Sequence, residues 1–581
     1  MFDSILKIYR KELLDGKLQS LLANIDGKEE ILPKIKEDGS TARLCFSDIN
    51  YATQDRAAWD ACRHLFRLKS LALAYKKGDG SIKPETLLSL LDFWLERDPV
   101  CLNWWYNMIG VPGELGTVAV LLWDELDADR RVLLLSRLSR GVIFIRNRMI
   151  PWERCKGANM LWVAFITMTY AILARDASLF ELSVKLAEGE ADFDNEQGMQ
   201  PDGSFFQHGK RLYSGGYGRS YIKSLAPLIH FAGMTPYAFS KEKLENVMTH
   251  VFGLKYMMNR GCFDHAVTGR EYVRRGAPMS VSTLIPALRL IADTPDCPRH
   301  EELLEFIDSL ESGGSTFDGV RLFERAAYLT MCRDGVFISH KSAAPDILHA
   351  EIINGENVLG YNFSYGTNTA VLSTGTEYAR AIPAYDYGLI PGTSMPYMTE
   401  DELLAVEDFS LRAPTVENYK TFSDGDVALT RTTVTHEGVS ATVAAFATPY
   451  GMIILGNSLS DALGREIITT VEQCACSGEI KLSDDEIIHG SVRYRVLDKS
   501  SKLVGTRELK KGSYRRNRLV ESDEVFECDM LTVTLDRRGA DSYAYVIAPV
   551  SVDTRGIFVI RNDKTEQSIK LPDGRVLSVG I

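Results

Sequence analysis

The segment Pro201–Tyr217, PDGSFFQHGKRLYSGGY, places a histidine and a tyrosine nine residues apart on a stretch rich in glycine and aromatic residues. His208 carries an imidazole, which in its neutral form assists proton removal or binds a carboxylate. A phenol such as that of Tyr217 has an ordinary pKa of about 10, so it is a base at neutral pH only when a nearby cation stabilises its anion. The flanking glycines let the backbone approach a ligand closely. The pair indicates proton-transfer chemistry; a structural loop histidine and an aromatic plug on a turn are the alternatives.

Three polar residues from other segments supply the charge and hydrogen bonds that such chemistry needs. Arg270 and Arg274 lie in TGREYVR, and they share one face if that segment is helical. A guanidinium beside a phenol favours the ionised form of the phenol. The alternative role of the two arginines is to form surface salt bridges. Asn159, in KGAN, carries an uncharged amide that can donate hydrogen bonds; a loop or helix-capping asparagine is the alternative.

Two further segments carry candidate binding residues. Trp104 and Trp105 lie in NWWYNMIGVP, and an indole face covers the apolar side of a ligand ring. We expect one of them to do so and the other to pack in the core. Glu356 and Asn357 lie in NGEN, where they can orient Tyr217 or an arginine; a purely structural hydrogen bond is the alternative.

The elements that must position these residues change in type near residue 315. Before it, apolar residues recur at helical spacing, as in MLWVAFITMTYAILARD. After it, short alternating runs such as DVALTRTTVTH and SYAYVIAPV are separated by turn residues, which is typical of antiparallel sandwich sheets. We predict a helical domain at 1–315 and a β-sandwich region at 316–581, with a central sandwich at about 316–480 and a small C-terminal β domain at about 481–581.

The 581-residue chain has a formal net charge of −12 at pH 7. This argues against a nucleic-acid partner. Basic residues are nevertheless concentrated in Gly209–Lys223 and Ser136–Gly157. Local basic stretches in an acidic protein focus an anion into a cleft, although ordinary solvated faces explain them equally well.

The N-terminal sequence mixes charge into every turn and lacks the apolar core of a signal peptide. No run reaches the ~20 apolar residues of a membrane span, so we expect no membrane partner.

The ten cysteines show no disulfide or zinc spacing and are interpreted as free thiols. We expect a cytoplasmic monomer, or a secreted or periplasmic protein if a leader has been removed.

The motifs together carry a family resemblance. NWW-x₃-IG-x-P, GAN, PDGSF-x-QH, Y-x-G-x-YG, GR-x₃-R, N-x-EN-x₂-G and IPGT follow one another between Asn103 and Thr393. In type and order they resemble polysaccharide lyase family 8, which includes hyaluronate, chondroitin AC and xanthan lyases. The resemblance implies an incomplete α/α toroid followed by antiparallel β-sandwich domains. TGREYVRR departs from the family's commoner GR-x-IS-R form, and the chain is short for the family, which leaves the substrate open.

The resemblance also implies a reaction, namely β-elimination at a uronic acid to give a 4,5-unsaturated product. The substrate is then an anionic polysaccharide or oligosaccharide of hyaluronan or chondroitin type, with xanthan or another uronate polymer as the alternative. The implied catalytic residues are Asn159, His208, Tyr217, Arg270 and Glu356. Asn159 resembles the family's asparagine that donates its amide N–H to the uronate carboxylate without bringing a full charge. The implied substrate-binding residues are Trp104, Trp105, Gln207, Arg274 and Asn357.

Two other classes of function stay open from the sequence. A glycoside hydrolase on an α/α toroid needs two carboxylates, for which Asp202 and Glu356 are candidates. A carbohydrate-binding protein without catalysis is the other class. The elimination requires no cofactor, and the sequence shows no metal-ligand spacing, although a structural Ca²⁺ in the sheet half remains compatible with it.

Overall fold

The computed structural model describes residues 1–18, 21, 27–54, 59–142, 157–194, 196–276 and 279–581. Most of the basic stretch Ser136–Gly157 therefore lies outside the described residues. The chain forms two compact units, of which the first, the helical unit, comprises Met1–Asp192, Ser220–Val247 and Thr283–Leu304. The second, the sheet unit, comprises Phe193–Arg219, Met248–Ser282 and Glu305–Ile581.

Twelve described α-helices precede residue 315. They are α1 Phe2–Leu14, α2 Lys28–Ile31, α3 Arg63–Lys76, α4 Pro84–Arg97, α5 Val111–Leu122, α6 Ala128–Leu138, α7 Ala158–Ala174, α8 Ala177–Glu190, α9 Arg219–Gly233, α10 Lys241–Leu254, α11 Ile285–Ala292 and α12 His300–Glu311. In the parts of the chain that the structure describes, no helix combines the length and apolar character needed to cross a membrane.

Helix α7 is the central element of the helical unit. Its sequence is apolar around most of its circumference, so it is stable only when surrounded by other helices. It packs against α1, α5 and α8. From α1, the ring of Tyr9 lies 5.7 Å from that of Phe165 on α7 and 4.9 Å from that of Phe231 on α9. The long apolar runs of the sequence thus form the interior of a helical domain.

The strands fall into several antiparallel sheets. Short pairs are β1 Ile35–Glu37 with β2 Leu44–Phe46, β3 Gly198–Met199 with β4 Phe205–Phe206, and β5 Met258–Asn259 with β6 Cys262–Phe263. The longer strands are β7 Gly319–Phe323, β8 Tyr328–Arg333, β9 Val336–Lys341, β10 Asn368–Leu372, β11 Ser394–Pro396, β12 Thr415–Ser423, β13 Ala428–His436, β14 Val439–Thr448, β15 Gly451–Asp461, β16 Ile467–Ala475, β17 Ile480–Leu482, β18 Glu486–His489, β19 Val492–Val496, β20 Lys502–Gly512, β21 Phe526–Asp536, β22 Tyr543–Pro549, β23 Phe558–Asn562, β24 Glu566–Lys570 and β25 Val576–Gly580. Two short helices, α13 Glu377–Ala381 and α14 Glu400–Leu404, lie between strands.

The largest sheet has eight strands in the order β12-β13-β14-β15-β22-β19-β18-β17. Four-stranded sheets have the orders β10-β9-β8-β7 and β11-β16-β21-β20, and β23-β24-β25 forms a separate sheet. Strands from both sides of residue 480 pair within the eight-stranded sheet. The prediction of a helical N-terminal region followed by antiparallel sheets is confirmed, whereas the domain boundaries at 315 and 480 stay predictions.

The eight-stranded sheet is covered on both faces. One face packs on the β7–β10 sheet, and the core on the other face includes Phe446 and Ile453 with Ile569 of β24. Every residue of β22, in the interior of this sheet, is consequently buried, and so is every residue of β9 in the β7–β10 sheet. Two-sided burial explains why SYAYVIAPV reads as almost continuously apolar.

Candidate active site

The segment that carries His208 and Tyr217 belongs to the sheet unit. His208 has a positive φ of 55°, and its backbone N–H donates to Gln197 Oε1 at 3.1 Å. The Gln207 side chain donates to the same oxygen at 3.4 Å. Beyond it, Ser214–Gly218 forms a single π-helical turn that leads into α9. The loop thus has a fixed path, with His208 and Tyr217 at its two ends.

Two glycines permit this path. A Cβ on Gly216 would lie 2.5 Å from the Tyr213 ring, and one on Gly269 would lie 2.0 Å from it. Gly269 also has a φ of +57°, which side chains other than glycine rarely adopt. The close packing around Tyr213 brings the rings of His208 and Tyr217 edge to face, with centroids 4.9 Å apart.

Glu351 is the residue at the centre of the site, and the sequence did not single it out. Its Oε1 lies 2.5 Å from His208 Nδ1, and its Oε2 accepts from the Tyr213 hydroxyl at 3.2 Å. Arg270 Nη1 also donates to Oε2, and Arg211 Nη1 lies 3.5 Å from Oε1. One carboxylate thereby links His208 and Arg211 of the loop to Arg270. The only signal in the sequence was a second acid five residues before Glu356, in AEIINGEN.

The contact with Glu351 fixes which nitrogen of His208 faces outward. An ionised carboxylate only accepts hydrogen bonds, so Nδ1 carries the hydrogen. In the neutral ring, Nε2 then holds a lone pair. The His208 side chain is 32% exposed, and Tyr217 is half-buried. Both groups therefore remain accessible to a ligand.

Glu356 accepts hydrogen bonds from three arginines. It accepts from Arg270 Nε at 2.9 Å, from Arg274 Nε at 3.0 Å and from Arg518 Nε at 2.7 Å. Arg270 therefore bridges Glu351 and Glu356, and its Cζ lies 5.9 Å from the centre of the Tyr217 ring. A 3-10 helix covers Gly269–Val273 and ends before Arg274. The two predicted arginines meet through a shared carboxylate rather than along one helical face.

Asn357 and Gln207 lie near the same cluster. Asn357 is 2% exposed, donates to the Glu351 carbonyl at 2.9 Å and accepts from the Tyr272 hydroxyl at 2.6 Å. Its amide thus holds the backbone of Glu351. Gln207 is half-buried beside His208.

The three remaining predicted residues belong to the helical unit. Asn159 is the second residue of α7 and is half-buried. Gly157, the residue before this helix, is fixed by a 2.6 Å hydrogen bond from its N–H to Glu190. Trp105 packs edge to face on Trp162, 5.8 Å away, beside a cavity of about 250 Å³. Trp104 is half-buried.

Burial and neighbouring positive charges shift the pKa values of Glu351 and Glu356 in opposite directions. Burial raises the pKa of Glu351, but the hydrogen bond from His208 and the charges of Arg270 and Arg211 outweigh it and lower the pKa to about 2. Burial likewise raises the pKa of Glu356, whereas the hydrogen bond from Arg274 and the other arginines bring it to about 2. Burial raises the pKa of the Tyr213 hydroxyl well above its ordinary value. Both carboxylates are therefore ionised, and Tyr213 is neutral.

These pKa values predict loss of stability in acid. The folded-state pKa of Glu351, about 2, lies below the unfolded value of about 4.3. Its contribution is therefore complete above pH ~4.3 and is lost as pH falls towards 2, to the extent of about 3 kcal/mol. Denaturant unfolding between pH 6 and pH 2.5 measures this slope. The slope should be shallower in Glu351→Gln; an equal slope in the variant would contradict the assignment.

The two carboxylates required by a hydrolase are not available as a pair. Asp202 is used in its own turn, where Oδ1 accepts from the Ser204 hydroxyl at 2.7 Å and Oδ2 accepts from the Arg325 N–H at 2.9 Å. Glu356 is ionised and enclosed by arginines, so it cannot serve as a general acid at neutral pH. The geometry gives no support to the hydrolase alternative.

Comparison with known proteins gives matches along most of the chain. The model described as polysaccharide lyase family 8, N terminal alpha-helical domain, matches residues 8–308, and the super-sandwich domain of the same family matches residues 318–555. The chain is 25% identical over 585 aligned residues to chondroitinase-AC of Pedobacter heparinus, covering 93% of this chain and 79% of that protein. It is 28% identical over 225 residues to xanthan lyase of a Bacillus species, covering 36% of this chain and 23% of that protein.

A solved structure shows the same fold. A chondroitinase AC lyase, determined in complexes with oligosaccharides, superposes with a TM-score of 0.84 at 20% identity, covering 98% of this chain and 89% of that one. The helical region and the antiparallel sheets agree with the two family models. The chain belongs to polysaccharide lyase family 8.

Proposed function

We propose that this protein is a lyase that cleaves a uronate-containing polysaccharide or oligosaccharide by β-elimination. One observation carries the proposal: an accessible imidazole and an accessible phenol lie edge to face at 4.9 Å, with the guanidinium of Arg270 5.9 Å from the phenol ring. This is an arrangement for moving a proton next to an anionic ligand.

The reaction requires stabilisation of the developing charge, a base for the C5 proton and an acid for the departing oxygen. The C5 proton of a uronic acid is only weakly acidic, so the charge that develops as it leaves must be stabilised. In the proposed mechanism Tyr217 is the base that takes that proton, and the electron pair of the broken C–H bond forms the C4–C5 double bond. The C4–O bond breaks, and Tyr217 returns the proton to the departing oxygen. The side chain ends the cycle as it began.

His208 and Arg270 are held for distinct tasks in this scheme. Glu351 fixes Nδ1 of His208, so the opposite nitrogen is presented to the sugar carboxylate or to the proton in transit. Arg270 is held by two carboxylates, which prevents it from pairing with the substrate instead of stabilising charge at Tyr217. For Asn159, Trp104 and Trp105 the proposed roles rest on the family motifs alone.

We propose a chondroitin- or hyaluronan-type substrate. Support comes from the similarity to the Pedobacter chondroitinase, which extends over 93% of this chain. The xanthan lyase similarity is confined to 36% of the chain and makes xanthan the second choice. In the part of the chain that the structure describes, no group of three or more His, Cys, Asp or Glu residues is placed to hold a metal ion. Since the proposed steps use side chains alone, we also propose that turnover requires no added cofactor.

A substrate panel with ultraviolet detection tests the proposal. Chondroitin, hyaluronan, heparan, xanthan and alginate are incubated with the protein, and both absorbance and new reducing ends are recorded. We expect chondroitin or hyaluronan to give both signals together, because elimination creates a conjugated double bond. New reducing ends without absorbance would indicate a hydrolase. Binding without either signal would indicate a protein that has lost catalysis.

A further inference from the structure

A small cavity of about 30 Å³ lies in the sheet unit next to Glu351. Its wall includes Arg211, His265, Lys341 and His349 in addition to Glu351. A space of this size holds one small ion or one to two water molecules. It is too small for sulfate, phosphate or a carboxylate ligand.

Lys341, the last residue of β9, is the unusual member of this wall. It is 5% exposed. Among the described residues no side chain accepts a hydrogen bond from its Nζ, and no carboxylate lies within 4.0 Å of it. The carboxylate of Asp264, which acts on it from farther away, is already hydrogen-bonded to the hydroxyls of Tyr328 and Ser339 at 2.6 and 2.5 Å. Within the part of the chain that the structure describes, the amino group of Lys341 therefore belongs to the cavity wall and has no acceptor.

Two histidines on the wall also have unused ring nitrogens. Neither nitrogen of His349 makes a hydrogen bond, and its side chain is more than nine-tenths buried. Burial, together with the positive charges of Lys341 and Arg211, lowers the pKa of His349 well below its ordinary value, so the ring is neutral and offers one N–H donor. The nitrogens of His265 make no hydrogen bond either, although Nδ1 lies 3.5 Å from Asp264 Oδ1.

The formal charges on the wall do not cancel. Arg211 and a protonated Lys341 contribute two positive charges, and Glu351 contributes one negative charge that it shares with Arg270 and His208. An uncompensated charge on a buried side chain is unfavourable. Lys341 must therefore either lose its proton or acquire a counter-ion.

We propose that the cavity binds one monovalent anion of the size of chloride, held by Lys341 Nζ and the N–H of His349. The volume admits such an ion, an anion would balance the positive charge of the wall, and the two side chains that carry unpartnered donors both line the cavity. The rival state is a neutral Lys341 with water in the cavity. It is a real competitor, because burial and Arg211, opposed by Asp264, lower the pKa of Lys341 to about 7 in the empty cavity.

Crystallography of the unmodified protein distinguishes the two states. Crystals grown in sodium chloride are measured at long wavelength, where chloride scatters anomalously and water does not. We expect one anomalous peak between Lys341 and His349. Density in the cavity without anomalous signal would identify water and overturn the proposal.

A solution experiment tests the same site with a matched control. Thermal unfolding is followed in sodium chloride and in sodium gluconate at equal ionic strength, since gluconate is too large for the cavity. We expect the Tm of the wild type to be ~1–2 °C higher in chloride. Lys341→Met should remove the difference, whereas Lys185→Met, which removes an exposed lysine, should keep it. An unchanged difference in Lys341→Met, or none in the wild type, would contradict the proposal.

These two experiments use no polysaccharide, so they stand apart from the proposed lyase function. If Lys341→Met does not fold, the anomalous map of the wild type decides the question by itself.

Discussion

Replacing Tyr217 with phenylalanine is expected to reduce kcat by ~10³-fold or more while KM changes by less than about threefold. The substitution removes only the hydroxyl that moves the proton. The ring remains, and with it the edge-to-face contacts to His208 at 4.9 Å and to Tyr213 at 5.0 Å. Steady-state kinetics by ultraviolet absorbance, with substrate affinity measured separately by calorimetry, give both quantities.

Tyr213→Phe is the matched control for this prediction. The Tyr213 hydroxyl is buried and accepts from the Arg270 backbone N–H at 3.1 Å while it donates to Glu351. Its loss should loosen Arg270 and lower kcat by only about tenfold. An inactive Tyr213→Phe beside an active Tyr217→Phe would exchange the roles of the two tyrosines. A Tyr217→Phe enzyme that keeps a tenth of the wild-type kcat would rule out this phenol as the base.

The second large effect is expected for Glu351→Gln. The variant keeps the shape of the side chain but removes the charge that compensates Arg270 and Arg211 and that fixes His208 Nδ1. We expect kcat to fall by ~10²-fold or more, because His208 and Arg270 lose their positions. Breaking a buried ion pair on one side typically costs about 3–5 kcal/mol, so the Tm should fall as well.

A measurement other than stability shows whether Glu351 positions His208 or only supports the fold. The pH profile of kcat/KM should change in Glu351→Gln, because the partner of His208 has changed. Glu356→Gln serves as the control, since the Glu356 carboxylate pairs with Arg270, Arg274 and Arg518 rather than with His208. It should lower the Tm but leave the pH profile near that of the wild type. Identical pH profiles in the wild type and Glu351→Gln would reduce Glu351 to a structural residue.

Much of the fold was predictable because local patterns reflect local environment. The apolar run that became α7 and the turn-bounded runs that became β13, β14 and β22 were recognisable from spacing alone. The segment with His208 and Tyr217 was recognisable because glycines and aromatic residues at fixed offsets are specific to its backbone path. The complete burial of β9 and β22 could not be predicted, since it depends on which other sheets cover them.

The site was only partly predictable, because its geometry arises from residues far apart in the chain. His208 and Glu351 are separated by 143 positions yet lie 2.5 Å apart. Nothing around Glu351 in the sequence distinguishes it from the neighbouring Glu356, and spacing alone could not show that Arg270 bridges both. The helical-face argument for Arg270 and Arg274 did not apply, because the 3-10 helix is too short to include both residues.

The grouping of residues 193–219 and 248–282 with the sheet half has a consequence for how the enzyme is made. During synthesis the ribosome releases His208 and Tyr217 long before the carboxylates that fasten them. A nascent chain, or one cut short before residue 351, would present these side chains without their anchors. Competence for turnover should therefore arise late, after much of the C-terminal half has emerged and folded.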